Sequence, residues 1–204
     1  MGIDTMKRIP RRAVFLDRDG VINQAILRNG RPYPPASLEA LHVLPGVPEA
    51  LSALRATGFL LLVVTNQPDV ARKRQTREVV EQMHRHLLQS LPLDDFFVCW
   101  HDDADACVCR KPAPGLLLAA ASTYELDLGS SFMVGDRWRD VEAGRRAGCK
   151  TVWLDMGYLE QEPALQPDLR VSSLAEASEW ILKETRKDMF GYETASGSQS
   201  EDLR

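Results

Sequence analysis

Apolar residues gather into five short runs, each closed by polar residues at its carboxyl end. Ala13–Leu16 stops at Asp17-Arg18-Asp19-Gly20, Phe59–Val64 at Thr65-Asn66-Gln67, and Phe96–Cys99 enters a cysteine-rich segment. Phe132–Val134 stops at Gly135-Asp136, and Thr151–Leu154 at Asp155. Continuous rather than alternating apolar character predicts strands buried on both faces. Helical segments are predicted between them at Val47–Thr57, Thr76–Leu91, Pro114–Thr123 and Arg139–Ala147, the last closed by Gly148. Residues 173–187 are predicted to form a final amphipathic helix around Leu174, Ala177, Trp180 and Ile181.

This alternation of strand and helix predicts an α/β fold, a doubly wound and mostly parallel sheet with helices on both faces. Such sheets bind ligands beyond the carboxyl ends of their strands, so the polar strand ends are expected to converge. With 204 residues, 44% of them hydrophobic, the chain suits one domain over 1–190. From Gly191 the composition turns to Thr, Ser, Gly, Gln and Glu without an apolar period, and 191–204 is expected to be a disordered tail.

Charge and targeting signals narrow the function classes. The longest apolar runs, Phe59–Val64 and Leu116–Ala121, are too short to span a bilayer, and Arg11-Arg12 leads into a strand rather than a signal peptide. A soluble, cytoplasmic protein is expected. The formal charge is −4 with both signs interspersed, so neither nucleic acid nor membrane is an expected partner. A monomer acting on a small molecule is the expectation.

Asp17 and Asp19, two apart at a strand end, suit two needs of phosphoryl transfer: a nucleophile, and an acid for the leaving oxygen. Each strand-end carboxylate taken alone is equally well a solvated turn residue. Asp136 and Asp140 add carboxylates at a later strand end; gathered at one edge they would repel unless a cation lay among them, and oxygen ligands favour Mg²⁺. Thr65 and Asn66 offer donors to phosphate oxygens, and Lys111 supplies a compact cation. Cys99-Trp100-His101 followed by Cys107-Val108-Cys109 supplies three thiols and an imidazole, the ligand set of a closed, structural Zn²⁺ site. Cys149 reads as packing. His84 and His86, two apart on a helix and on different faces, and the isolated His42 read as inert.

Asp17-Arg18-Asp19-Gly20-Val21-Ile22-Asn23, Thr65-Asn66-Gln67, Arg110-Lys111-Pro112 and Gly135-Asp136-Arg137-Trp138-Arg139-Asp140 resemble, in order, the four motifs of the haloacid dehalogenase-like phosphohydrolases. The resemblance covers about Arg12 to Gly157 and implies their Rossmann-like fold. It implies that Asp17 is the nucleophile and Asp19 the general acid and base. Mg²⁺ would be held by Asp17, the backbone carbonyl of Asp19 and Asp136, with Asp140 as an outer member. Thr65 and Lys111 would bind the transferring phosphoryl group, and Asn23, Asn66, Gln67, Arg110 and Arg137 join them as expected phosphate or substrate contacts.

The cysteine segment resembles a capless branch comprising heptose bisphosphate and histidinol phosphate phosphatases. Only about twenty residues separate Asn23 from Pro45-Gly46, so the Gln24–Ser37 loop and the zinc loop are expected to wall the substrate site. The first three motifs look more like the heptose enzymes, and the short interval from His101 to Cys107 more like the histidinol enzymes. Asp69 and Lys73 stand where the heptose pattern has glycines. Removal of the 7-phosphate from D-glycero-D-manno-heptose 1,7-bisphosphate is the favoured expectation. Hydrolysis of histidinol phosphate or another small monophosphate is the alternative, and a non-catalytic phosphate-binding or zinc-stapled interaction protein on the same fold is the rival from another class.

Overall fold

A computed structural model of the chain describes residues 11–190. The expected tail, 191–204, lies outside the described residues. Six strands, β1 (Ala13–Leu16), β4 (Leu60–Asn66), β5 (Asp95–Cys99), β6 (Phe132–Gly135), β7 (Lys150–Leu154) and β8 (Leu169–Val171), form one sheet in the order β5-β4-β1-β6-β7-β8. Every pairing in it is parallel. The chain winds outward from β1 through β4 to β5, then returns past β1 to continue through β6, β7 and β8. The reversal leaves a crevice at the carboxyl ends of β1 and β6, the position where open α/β sheets bind ligands.

Alternation within the strands divides the core. Val14, Leu16, Leu61, Val63, Phe132 and Val134 face the cluster closed by helices α1 (Val47–Ala56), α3 (Arg77–Ser90) and α6 (Leu174–Phe190). Ala13, Phe15, Leu62, Val64 and Met133 face the opposite cluster, under α4 (Gly115–Tyr124) and α5 (Trp138–Ala147). Both faces are therefore dry, which explains why the strands read as unbroken apolar runs. The helix ends follow local chemistry: the Thr76 hydroxyl accepts from the Val79 N–H at the start of α3, and α5 stops at Gly148, whose φ is 89°.

Five elements were not predicted. Residues within the Gln24–Ser37 loop form an antiparallel hairpin, β2 (Ile26–Arg28) and β3 (Arg31–Tyr33), turned by Asn29 (φ 52°) and Gly30 (φ 73°). Asn-Gly with both φ values positive is the favoured two-residue hairpin turn, so its signal was present. The edge strand β8, the short helix α2 (Pro68–Ala71) and a 3₁₀ turn at Asp103–Asp105 lack the apolar runs that marked the rest. No cap-sized insertion occurs among the described residues, and no helix there is long and apolar enough to cross a membrane.

Candidate active site and cysteine cluster

The sheet delivers its chemistry to one cleft. The Asp17 N–H donates to the Val134 carbonyl at 2.9 Å, continuing the β1–β6 pairing one residue further and bringing Asp17 beside the turn that carries Asp136. Asp17, Asp136 and Asp140 are all buried, and each offers a carboxylate oxygen within 4.8 Å of the other two. Two glycines make the gathering feasible. A Cβ on Gly20 (φ 90°) would lie 1.9 Å from Asp136 Oδ2, and one on Gly135 would lie 2.1 Å from the Asp140 Cβ.

Lys111 is the counterion. Its Nζ donates to Asp17 Oδ1 at 2.9 Å and to the Val64 carbonyl at 2.6 Å, and it pairs with Asp140 Oδ1 at 2.6 Å. Burial alone would depress this lysine, but Asp140 and Asp17 hold it protonated above the ordinary lysine value. Asn66 clamps its backbone from both sides, accepting from the Lys111 N–H at 3.1 Å and donating to the Lys111 carbonyl at 3.0 Å. Asp140 is occupied on both oxygens, since Oδ2 accepts the Arg137 N–H at 3.0 Å.

One ammonium among three carboxylates leaves two negative charges uncompensated, the charge of a divalent cation. Burial raises Asp17 to about 6 against the opposing pull of Lys111, with Asp140 and Asp19 adding to the rise. Burial, then Asp17 and Asp140, push Asp136 well above the usual carboxylate range. The Tyr158 hydroxyl lies near enough to offset part of this, yet neither Asp136 oxygen has a partner of hydrogen-bonding geometry. Buried carboxylate oxygens without donors fit a hard, oxygen-seeking cation such as Mg²⁺.

Asp19 occupies a different environment. Arg18 Nη2 donates to both its oxygens at 2.7 Å, Asn23 Nδ2 to Oδ1 at 2.9 Å and Gln67 Nε2 to Oδ2 at 3.0 Å. The placement of Asn23 and Gln67 departs from their expected role as substrate contacts. Both are buried behind Asp19, neither lines the cleft, and Gln67 also donates to the Thr65 hydroxyl at 3.0 Å. His84, read from the sequence as inert, is buried and lies 3.0 Å from Arg18 Nη1 through its Nε2.

The cleft holds about 270 Å³. Its floor is Asp17, Asp19, Thr65, Lys111 and Asp140; Asn66, Arg110 and Arg137 also line it, while the hairpin contributes Arg31 and Tyr33. The expected walls are therefore present. Arg110 does not stand free: its Nε donates to Asp103 Oδ1 at 2.8 Å, and Arg139 reaches the same oxygen at 3.1 Å. Arg72 pairs with Asp102 and Asp103, and Arg137 pairs with Glu160. Asp155, the fifth polar strand end, does not join the cleft; it pairs with Arg170 at 2.7 Å.

The cysteine segment closes on itself beside this cleft. Cys109 Sγ lies 3.3 Å from Cys99 Sγ and 3.4 Å from Cys107 Sγ, with Cys99 and Cys107 3.7 Å apart. His101 Nδ1 is 3.3 Å from Cys109 Sγ and 3.7 Å from Cys99 Sγ. Ligands about 2.3 Å from a tetrahedral centre are about 3.8 Å from each other, so these separations fit one zinc with slight contraction. All three cysteines are free thiols. The Gln67 N–H donates to the Cys99 carbonyl at 2.8 Å, which ties this cluster to the second motif.

Comparison with known proteins decides the family. A family model described as HAD-hydrolase-like matches residues 108–177. A D-glycero-D-manno-heptose-1,7-bisphosphate 7-phosphatase of Thermosynechococcus vestitus is 35% identical over 195 residues, covering 85% of this chain and 96% of its own. The chain belongs to the heptose bisphosphate phosphatase family. It is accordingly a phosphatase, a phosphoric monoester hydrolase with the haloacid dehalogenase-like fold. The corresponding Escherichia coli K12 protein, named a D-glycero-beta-D-manno-heptose-1,7-bisphosphate 7-phosphatase, is 32% identical, with 88% of this chain and 97% of its own covered. Among solved structures, the D,D-heptose 1,7-bisphosphate phosphatase of B. bronchiseptica, complexed with magnesium and phosphate, superposes with a TM-score of 0.73. Identity to it is 31%, and 85% of this chain and 99% of that chain are covered.

Proposed function

We propose that this phosphatase removes the 7-phosphate of D-glycero-D-manno-heptose 1,7-bisphosphate through a phosphoaspartate at Asp17. The observation that carries the chemistry is the buried trio Asp17, Asp136 and Asp140 with Lys111 as its one ammonium among the described residues. The substrate follows from relatives that bear this activity in their names and match most of the chain.

Lys111 holds the Asp17 carboxylate by one oxygen, leaving the other to attack phosphorus. Lys111 and Thr65 receive the transferring phosphoryl oxygens, and Asn66 keeps Lys111 in register through its backbone. Asp19 gives a proton to the departing sugar oxygen and then takes one from the water that cleaves the acyl phosphate. Asp17, Asp136 and the Asp19 carbonyl would hold Mg²⁺, with Asp140 outside them because both its oxygens are engaged. When bound, the cation neutralises the phosphate and orients it for in-line attack. Cys99, His101, Cys107 and Cys109 would hold Zn²⁺ with no open position, a structural role that fixes the loop beside Arg110.

Arg110, at the cleft mouth, is suited to grip the phosphate that is not cleaved, since a guanidinium matches phosphate in a bidentate contact. That phosphate must compete with Asp103 for it. A monophosphate substrate such as histidinol phosphate is the second reading, favoured by this same pairing, because Asp103 already occupies the anion site. The deciding experiment offers both anomers of the bisphosphate, heptose 7-phosphate and histidinol phosphate to the enzyme with Mg²⁺, and follows phosphate release by phosphorus NMR. Selective loss of the 7-phosphate supports the proposal; preference for a monophosphate overturns its substrate assignment.

A further inference from the structure

The acid–base carboxylate at Asp19 depends on a partner that is itself anchored far away in sequence. Arg18 has no exposed surface, and its guanidinium forks onto Asp19, with Nε 3.0 Å and Nη2 2.7 Å from Oδ1. Burial confines the Arg18 side chain, and the guanidinium nitrogen not engaged by Asp19, Nη1, is free to take a contact elsewhere. Among the described contacts it has one: Arg18 Nη1 lies 3.0 Å from His84 Nε2, across 66 residues of chain. An arginine has only N–H donors, so the imidazole must present its Nε2 lone pair and be neutral. Burial, then the adjacent Arg18 charge, depress His84 to about 3, in agreement with that assignment. The ring itself is fixed on helix α3 and stacks on Phe96, with centroids 4.3 Å apart at 21°.

We propose that His84 is a positioning residue for the acid–base step, fixing the Arg18 fork that aims the Asp19 carboxylate. The inference rests on the proposed role of Asp19. It assigns a task to a histidine outside the four motifs, on helix α3, which contributes no residue to the cleft lining. The relay is geometric: neutral His84 accepts from Arg18, Arg18 donates to both Asp19 oxygens, and Asn23 and Gln67 complete the ring of donors around Asp19.

The test exploits leaving-group chemistry. An alkyl phosphate expels an alkoxide that needs a proton in flight, whereas nitrophenolate departs without one. Values of kcat/KM include only the steps up to phosphorylation of Asp17, so they isolate this proton transfer from the later hydrolysis. His84→Phe keeps the stacked ring and removes the acceptor; His84→Gln gives up the ring and keeps an acceptor.

The inference predicts that His84→Phe lowers kcat/KM for a sugar phosphate about tenfold more than for p-nitrophenyl phosphate, and that His84→Gln restores most of the difference. Arg18→Lys, which retains a cation without the fork, serves if His84→Phe does not fold and should show the same alkyl-selective loss. Equal losses on both esters, or full function in His84→Phe with damage in His84→Gln, would assign His84 to packing and overturn the inference. Wild-type enzyme is the control that separates the two levels: failure to turn over either ester would defeat the proposed function itself.

Discussion

The phosphoryl site and the cysteine cluster lie on neighbouring strand ends yet are assembled by opposite means. In the first, protein contacts hold most of the carboxylates: Lys111 bridges Asp17 and Asp140, Asn66 grips the Lys111 backbone, and of the three only Asp136 has both oxygens buried without a hydrogen-bond partner. In the second, three thiols and an imidazole gather within 4.8 Å of one another, five of their six separations being 3.3–3.7 Å, with no lysine or arginine side chain donating to a sulfur among the described contacts. A site whose side chains are held by hydrogen bonds and an ion pair of the protein's own can stay folded when its cation leaves, as a catalytic metal that exchanges with solvent requires. A site made only of ligands depends on its metal for its shape. The difference teaches that one cation would serve the reaction and the other the loop.

The largest effect should follow from breaking the first site at its nucleophile. Asp17→Asn should lower kcat by roughly four orders of magnitude or more while circular dichroism and the zinc content stay unchanged. Breaking the second site should move the opposite observables. Metal analysis of the wild type should find about one zinc per chain, and Cys109→Ser should abolish it and cost about 3 kcal/mol, a fall in Tm of roughly 6–12 °C. Hydrolysis of a small ester below that Tm should survive, and its loss would merge two sites that are separated here.

Arg110 joins the two regions, since it follows Cys109 of the cysteine cluster and lines the phosphoryl cleft. A charge-assisted grip is worth roughly 1.5–3 kcal/mol, so Arg110→Ala should cut kcat/KM for the bisphosphate about ten- to a hundredfold, with small monophosphates much less affected. The pairing with Asp103 favours the lower end, and equal losses on both substrate types at one ionic strength would remove Arg110 from second-phosphate recognition.

The smallest effect is a pH dependence that sharpens the contrast. Burial holds Asp17 at about 6 and raises Asp136, so without metal the folded state retains protons that the unfolded chain releases. Their stabilisation is full below about pH 4 and is lost as pH rises through about 6. Mg²⁺ cancels that loss and should therefore raise Tm more at pH 8 than at pH 5, by roughly 2–4 °C for each kcal/mol recovered. An equal gain at both pH values would place the cation away from these carboxylates.

Legibility in the sequence followed burial. Strands β1, β4 and β6 were visible because both faces are dry, so their apolar runs end abruptly at Asp17, Thr65 and Gly135-Asp136. The hairpin β2–β3 is half-exposed, and its one clear sign was Asn29-Gly30. Residue type alone could not separate Asn23 and Gln67, which face Asp19 from behind, from Asn66, which lines the cleft. The contact between His84 and Arg18 was hidden for the same reason. Helical spacing places His84 away from His86 but says nothing of Arg18, which reaches it from across the fold. Asp103 was equally hidden, because its partners Arg72, Arg110 and Arg139 come from three separate segments.

The central claim is that the phosphoryl group passes through the Asp17 carboxylate. Rapid mixing of enzyme, Mg²⁺ and a sugar phosphate, followed by borohydride quenching, reduces an acyl phosphate to the alcohol, which peptide mass spectrometry locates as homoserine. Homoserine should appear at position 17, only with both substrate and Mg²⁺ present, and not in Asp17→Asn. Its absence from enzyme that is turning over, or its appearance at another carboxylate, would contradict the account.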